Sequence, residues 1–390
     1  MARILFAWEL GGGIGYVDRL SQVAERLEAL GHEPVFVIRD LIGTAGFFAN
    51  RTWIVLQSPL AVGQLHPTQP SFVPGSYADL IAVNNFTDAE QLYRLVHAWH
   101  VLFQALQPAA IVAEYAPTVA LAAHGRIPVI AMGHGYILPP AETPDFPVFD
   151  PAVQRFAPQE KLFETVLAVQ RRLRAPEPAS VPQAVTGSHS FVTAFRETDP
   201  YAGFRQRANV GPLETYAPPV PPAGDPSVYA YLSATHPQLR TMLQALVESG
   251  MPASTYIKRL TPEMRQYLTE RRVKVYDTPP PLQETVRAAH VVIHHGGAAT
   301  LATAMGAGRP QLLWPEVADQ QVSAGTIDRL GVSVNARRRV SSAAQAIRAL
   351  RELAQGDAPA RAMALAQDIQ RRREFGSLET ILDTTAGLLP

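Results

Sequence analysis

Residues 294–321, HHGGAATLATAMGAGRPQLLWPEVADQQ, bring histidine, glycine, threonine, carboxylate and amide residues to spacings that can hold a diphosphate and a polyol side by side. The apolar run Val291, Val292 and Ile293 predicts a strand entering a His-Gly-Gly turn, and a helix of small residues follows. The first amides of a helix lack intrahelical acceptors and sit at its positive dipole end, so a start built from glycine and alanine leaves them open to an anion. Gly296, Gly297, Ala298 and Ala299 would present those amides, while the His295 ring and the Thr300 hydroxyl would add donors to phosphate oxygens. One βα unit later Glu316, Asp319 and Gln320 stand where sugar hydroxyls could be held. Together these residues suggest a nucleotide-sugar site.

Two competing chemistries fit less well. His290, His294 and His295 invite a metal, but a strand turns His294 and His295 to opposite faces and there is no cysteine to join them, so no metal is expected. GGGIGY resembles a dinucleotide fingerprint, yet the third required glycine falls on Tyr16, even though Asp40 follows the next strand. No cofactor is expected beyond a nucleotide diphosphate sugar used as co-substrate.

The 390 residues exceed the usual size of one core, which predicts two domains. Lysine plus arginine and aspartate plus glutamate both number 34, with no long charge run, so neither nucleic acid nor an anionic membrane surface is indicated as partner. No window reaches the roughly 18 to 20 apolar residues of a membrane span. The start MARILFAWELGGG reads as a buried strand entering a glycine turn and not as a signal peptide, and with no cysteine this predicts a cytoplasmic protein.

Short apolar runs alternate with helical patterns along the chain, which predicts βαβ units and parallel sheets. Buried strands are expected over 4–7, 35–38, 53–56, 110–113 and 129–132, with a helix over 17–30 and another centred on Leu92, Val96 and Trp99. GPLETYAPPVPPAGDPS, from Gly211, packs six prolines into seventeen residues and suits a connector. Beyond it strands are expected over 228–232, 255–257, 273–276, 291–293 and 311–314, with helices between them and helices closing the chain over 341–355, 359–373 and 377–388. The expected division is an N-terminal domain over 1–210, a linker over 211–226, a C-terminal domain over 227–375, and a last segment, 376–390, crossing back to the first domain.

The order His295, Gly296, Gly297, Ala298, Ala299, Thr300, then Gly308, Arg309, Pro310, then Pro315 with Asp319 and Gln320, resembles the donor-binding half of the GT-B-fold glycosyltransferases related to the UDP-glycosyltransferases and the macrolide and antibiotic glycosyltransferases. Ala299 replaces the family's second glycine. Gly211, Pro212 and Leu213 resemble the family's entry to its linker, and Gly31 with His32 its N-terminal pattern. The resemblance implies an α/β fold of two doubly wound Rossmann-like domains facing across a cleft. It also implies an inverting, metal-independent hexosyl transfer from a UDP or dTDP sugar to a small-molecule acceptor, with Asp319 and Gln320 on the donor sugar, Ser233 on the phosphates, and Pro280 with Pro281 at the nucleobase.

The resemblance places a glycine-histidine pair in the first turn, whose histidine deprotonates the acceptor; this chain has Gly15 and Tyr16 there. An unperturbed phenol, with a pKa of about 10, is a poor base at neutral pH. Asp18 in the same turn, Glu114 at the end of its strand and His134 in MGHGY are the other candidates, Glu114 standing near the family's orienting carboxylate. Acceptor loops are expected over 11–16, with Gly12 and Gly13, over 67–76 and over 133–140. A catalytically silent homologue and a nucleotide-sugar 2-epimerase are the competing readings.

Overall fold

The computed structural model describes residues 1–60, 74–153 and 155–389. The chain forms two compact units, Met1–Arg196, Pro200–Leu213 and Gly376–Pro390 in the first, Glu197–Asp199 and Glu214–Phe375 in the second. The Pro-rich stretch expected as a separate linker is therefore shared out, its first three residues with the first unit and the rest with the second.

In the first unit six parallel strands, β1 (Arg3–Trp8), β2 (Glu33–Ile38), β3 (Ile54–Gln57), β4 (Ala110–Glu114), β5 (Val129–Gly133) and β6 (His189–Val192), lie in the order β3-β2-β1-β4-β5-β6. In the second, β7 (Val228–Ser233), β8 (Ala253–Lys258), β9 (Lys274–Val275), β10 (Val291–His294), β11 (Gln311–Leu313) and β12 (Ser333–Asn335) lie in the order β12-β11-β10-β7-β8-β9. Counted from the first strand of each sheet, both follow the doubly wound order, and the direction in which successive strands are added reverses between β1 and β4 and again between β7 and β10. Such sheets bind ligands beyond the carboxyl ends of their strands at that reversal.

Hydrophobic burial explains the central strands. In β1 and β2 every residue after the first is buried, Phe6 stacks on Phe36 at 5.0 Å, and the helix Gly15–Ala29 lays Val17, Leu20, Val23, Ala24 and Leu27 on the sheet. That helix stops one residue short of the expectation, leaving Leu30 exposed, and Gly31 turns the chain with a φ of +88°. β3, expected as a buried strand, is an edge strand with Ile54 exposed; Trp53, just ahead of it, fills the core against Phe36. The helix Gln159–Arg172 and edge strand β6 lie where the pattern predicts no element. In the second unit Val228, Ala230, Leu232, Ile293 and Leu312 form one face of the sheet, and Tyr229 and Val292 pack the other under Ala304 and Ala307. No helix among the described residues is long and apolar enough to cross a membrane.

Candidate functional site

At the β7–β10 reversal the chain leaves β10 into His295 and Gly296. Gly296 has a φ of +85°, a left-handed conformation suited to glycine, and a Cβ built on it would stand 3.5 Å from the Gln320 carbonyl oxygen. The turn is thus packed against the start of the helix Ala318–Asp328, which brings the glycine pair to the Asp319–Gln320 pair. Gly297 caps the helix Ala298–Gly306 with no side-chain hydrogen bond, and the amides of Gly297, Ala298 and Ala299 are exposed and donate to no acceptor among the described residues. Thr300, buried, follows in the first turn. The open cradle expected from glycine and alanine is present.

The histidines differ from expectation. His295 Nε2 accepts the Ser233 amide at 3.0 Å, which puts the proton of the neutral ring on Nδ1, and Nδ1 donates to the Trp314 carbonyl at 3.2 Å. Burial, with help from His236, pushes its pKa down to about 4. The ring therefore has no N–H to offer a phosphate oxygen, contrary to what its place at the strand end suggests; instead it braces Ser233 and the end of β11. His236 stacks on it at 4.7 Å and 8°, accepts the Gln238 amide on Nδ1 at 3.1 Å and also bonds the Trp314 carbonyl. His294 is buried in β10, accepting from Gly296 N at 3.0 Å and meeting Gln311 Oε1 at 2.8 Å, while His290 points to Ser227. The three histidines weighed as a metal trio point to separate partners.

Ser233 keeps its hydroxyl near solvent, 2.8 Å from Thr235 Oγ1. Gln320 spends its side-chain oxygen on the amides of Glu316, at 2.9 Å, and Val317, closing the helix start and leaving its NH₂ group for other partners; Asp319 Oδ1 accepts the Gln320 amide at 2.8 Å. Glu316 is exposed on the same loop. Pro281 caps the helix Leu282–Ala288 and Pro280 precedes it, half-buried.

At the β1–β4 reversal the first unit gathers its own charged cluster. Tyr16 opens the helix Gly15–Ala29 with its ring stacked on Trp8 at 5.3 Å and the Arg19 guanidinium 5.5 Å from its centre. A Cβ at Gly11 would fall 2.6 Å from the Tyr16 hydroxyl oxygen, so this glycine makes room for the phenol. Glu114 ends β4 opposite Trp8; its side chain is 0% exposed, and both Arg19 Nε, at 2.8 Å, and Arg19 Nη2 donate to Oε1. Oε2 has no partner. Burial pushes Glu114 up to about 7 despite Arg19. His134 is also buried, and burial followed by the Arg19 charge pushes it down to about 3, so it stays neutral. Asp18 is exposed and accepts from Gln22 at 3.3 Å. Gly12 and Gly13 are exposed in the first turn, with open space where a Cβ would point.

Arg19 escaped the motif reading, although it stands three residues beyond Tyr16 and so shares its helix face. Glu9, just past β1, escaped too: buried, it accepts from Trp99 Nε1 at 2.6 Å and Thr118 N at 2.8 Å, and burial pushes it up to about 7. Of the loop expected over 67–76, residues 67–73 lie outside the described residues. Tyr77, Phe86, Tyr136 and Phe146 are core side chains.

Residues 272–372 match the family described as erythromycin biosynthesis protein CIII-like, C-terminal domain. A glycosyltransferase of Amycolatopsis orientalis, GtfE, is 48% identical over 52 residues, a match that spans 13% of this chain and 13% of that relative. Among solved structures, the calicheamicin glycosyltransferase CalG4 has a TM-score of 0.70 at 18% identity over 99% of this chain and 98% of its own. The glycosyltransferase VinC, solved in complex with DTDP, has a TM-score of 0.63 at 15% identity over 99% and 98%. At such identities the likeness is one of fold, whereas the erythromycin-type match falls on the second switch point itself. The chain thus has the GT-B fold of these glycosyltransferases, and its residues 272–372 are similar to the erythromycin biosynthesis protein CIII-like C-terminal domain.

Proposed function

We propose that the protein moves a hexose from a uridine or thymidine diphosphate sugar to a small-molecule acceptor, with inversion at the anomeric carbon and no metal. The open amides of Gly297, Ala298 and Ala299, packed through Gly296 against Gln320, the neighbour of Asp319, carry this reading. In it the amides, with the Ser233 and Thr300 hydroxyls, take the diphosphate; Asp319, Glu316 and the Gln320 NH₂ take sugar hydroxyls; Pro280 and Pro281 border the nucleobase. The DTDP complex of VinC supports a pyrimidine nucleotide as the donor's leaving group. The acceptor oxygen forms a bond to the anomeric carbon as the bond to the diphosphate oxygen breaks, and the nucleoside diphosphate leaves with the electron pair. Fixed amide dipoles stabilise that developing charge, which a metal would otherwise do.

The acceptor's proton is assigned to Glu114. Tyr16 is committed to packing and His134 is held far below protonation, whereas Glu114 is poised near neutrality with one oxygen that has no partner among the described residues. Because its side chain is fully buried, the proton reaches it through a bridging water.

A thermal-shift panel of UDP, dTDP and their glucose conjugates tests the donor half. A ligand at 100 times its dissociation constant should add about 2.7 kcal/mol of stability, and a flat response across the panel would remove the reading. Donor turnover should continue in excess EDTA; loss of activity in the chelator would contradict the metal-free step.

A further inference from the structure

We propose that Arg337 supplies the full positive charge that grips the donor's diphosphate, an assignment that rests on the nucleotide-sugar reading above. The imidazoles beside the cradle cannot supply it. An amide N–H enters one nitrogen of each ring, Ser233 into His295 and Gln238 into His236, and the other nitrogen of each meets the same Trp314 carbonyl. Two rings stacked face to face on one carbonyl, each already accepting an amide, are neutral. The helix start contributes the equivalent of only about half a charge. A diphosphate carries more.

Arg337 lies in the short helix Ala336–Arg339 beyond β12 and reaches the loop that follows β11. Its Nη1 lies 3.4 Å from the carbonyl oxygen of Glu316, in the loop that leads to Asp319 and Gln320. The side chain is exposed, and no carboxylate among the described residues pairs with it, Glu316 included; its neighbour Arg339 is taken by Asp328 at 3.0 Å. That long contact leaves most of the guanidinium's five N–H donors unspent, and their planar fork matches two phosphate oxygens at once. In support, Arg337 is close enough to His236 to help depress its protonation. Lys258, level with Ser233 on the neighbouring strand β8, is the rival cation.

Titration calorimetry with UDP and dTDP, and with uridine and thymidine as phosphate-free probes, tests the assignment on the full chain. Arg337→Ala should weaken the better diphosphate by roughly ten- to hundredfold, as expected for loss of a charged hydrogen-bond partner. Arg337→Lys should recover part of that loss, and nucleoside binding and the melting temperature should stay as in the wild type, since the side chain is exposed. Arg338→Ala, one residue along, should bind as the wild type does. Unchanged diphosphate affinity in Arg337→Ala, or a loss found in Lys258→Ala instead, overturns the role of Arg337 and leaves the donor reading intact. A wild-type protein that binds neither diphosphate overturns both.

Discussion

At Glu114 a buried carboxyl meets a guanidinium at one oxygen, while its other oxygen has no partner among the described residues. Glu114→Gln keeps the shape and an acceptor for Arg19 but cannot take a proton, so turnover should fall roughly 10²- to 10⁴-fold while UDP or dTDP affinity, set in the other unit, holds. Equal turnover would return the base to Asp18 or Tyr16. The same carboxyl leaves a mark on stability. Its folded pKa of about 7 is raised from 4.5, so its contribution is fully present below about 4.5 and is lost as pH rises through 7. His294 runs the other way: pushed from 6.5 down to about 4 by burial, it contributes above 6.5 and its contribution is lost as pH falls through 4. Denaturant titrations across pH should therefore show Glu114→Gln flattening the change between about 4.5 and 7 and His294→Gln flattening it between about 6.5 and 4; unaltered slopes would show that these groups ionise in the fold as they do in the open chain. The open helix start after Gly297 and its packing against Gln320 were legible in sequence because a glycine turn into a small-residue helix is local. Arg19 with Glu114 and Glu9 with Thr118 were not, since sheet pairing joins them across 95 and 109 residues.

Among the elements, the Pro-rich stretch after Leu213, which suits a stiff connector in sequence, is held along its length by hydrogen bonds in the second unit. Prolines strip it of amides but leave its carbonyls, and the second unit supplies donors to them: Gln283 to Thr215 at 3.0 Å, Arg287 to Pro218 at 2.9 Å, Gln370 to Tyr216 at 2.8 Å and Arg309 to Val220 at 2.8 Å. Arg309, 1% exposed, also donates to the Arg287 carbonyl; burial lowers it to about 10, still protonated at neutral pH. Arg309→Leu should cost about 2–4 kcal/mol in denaturant unfolding, through carbonyls left without donors. A loss below experimental error would mean that water serves those carbonyls equally well. Sequence pattern could place Arg309 in a turn but could not show which backbone folds over it. The same limit hid β6 and β12: the edge strand His189–Val192 buries little, and the edge strand Ser333–Asn335 buries polar Ser333 and Asn335, so neither carries a continuous apolar run to announce it. The central strands, buried on both faces, were plain because Val, Ile, Leu and Phe dominate them.

At the scale of the molecule, the chain belongs to the first unit at both of its ends, and the return is fastened where it departed. Gly376 N donates to the Pro212 carbonyl at 2.8 Å and Ser377 Oγ to the Gly211 carbonyl at 2.8 Å, so the outgoing and returning segments meet at one point within the first unit. From there the helix Leu378–Gly387 buries Ile381 and Leu382 and sets Glu379 against Arg26 of the helix Gly15–Ala29 at 2.7 Å. That ion pair is exposed and contributes little, whereas each buried aliphatic side chain contributes roughly 1.5–3 kcal/mol. The helix Gly15–Ala29 also carries Tyr16 and Arg19. A chain ending at Phe375 should therefore lose stability in its first unit and with it the geometry around Glu114, while the nucleotide cradle, built wholly from residues of the second unit, should remain. Calorimetry of the truncated chain should show its earliest transition moved to lower temperature and a later transition that UDP or dTDP still raises. If the nucleotide no longer shifts any transition, the second unit depends on the returning helix, and the division of labour between the two switch points does not hold.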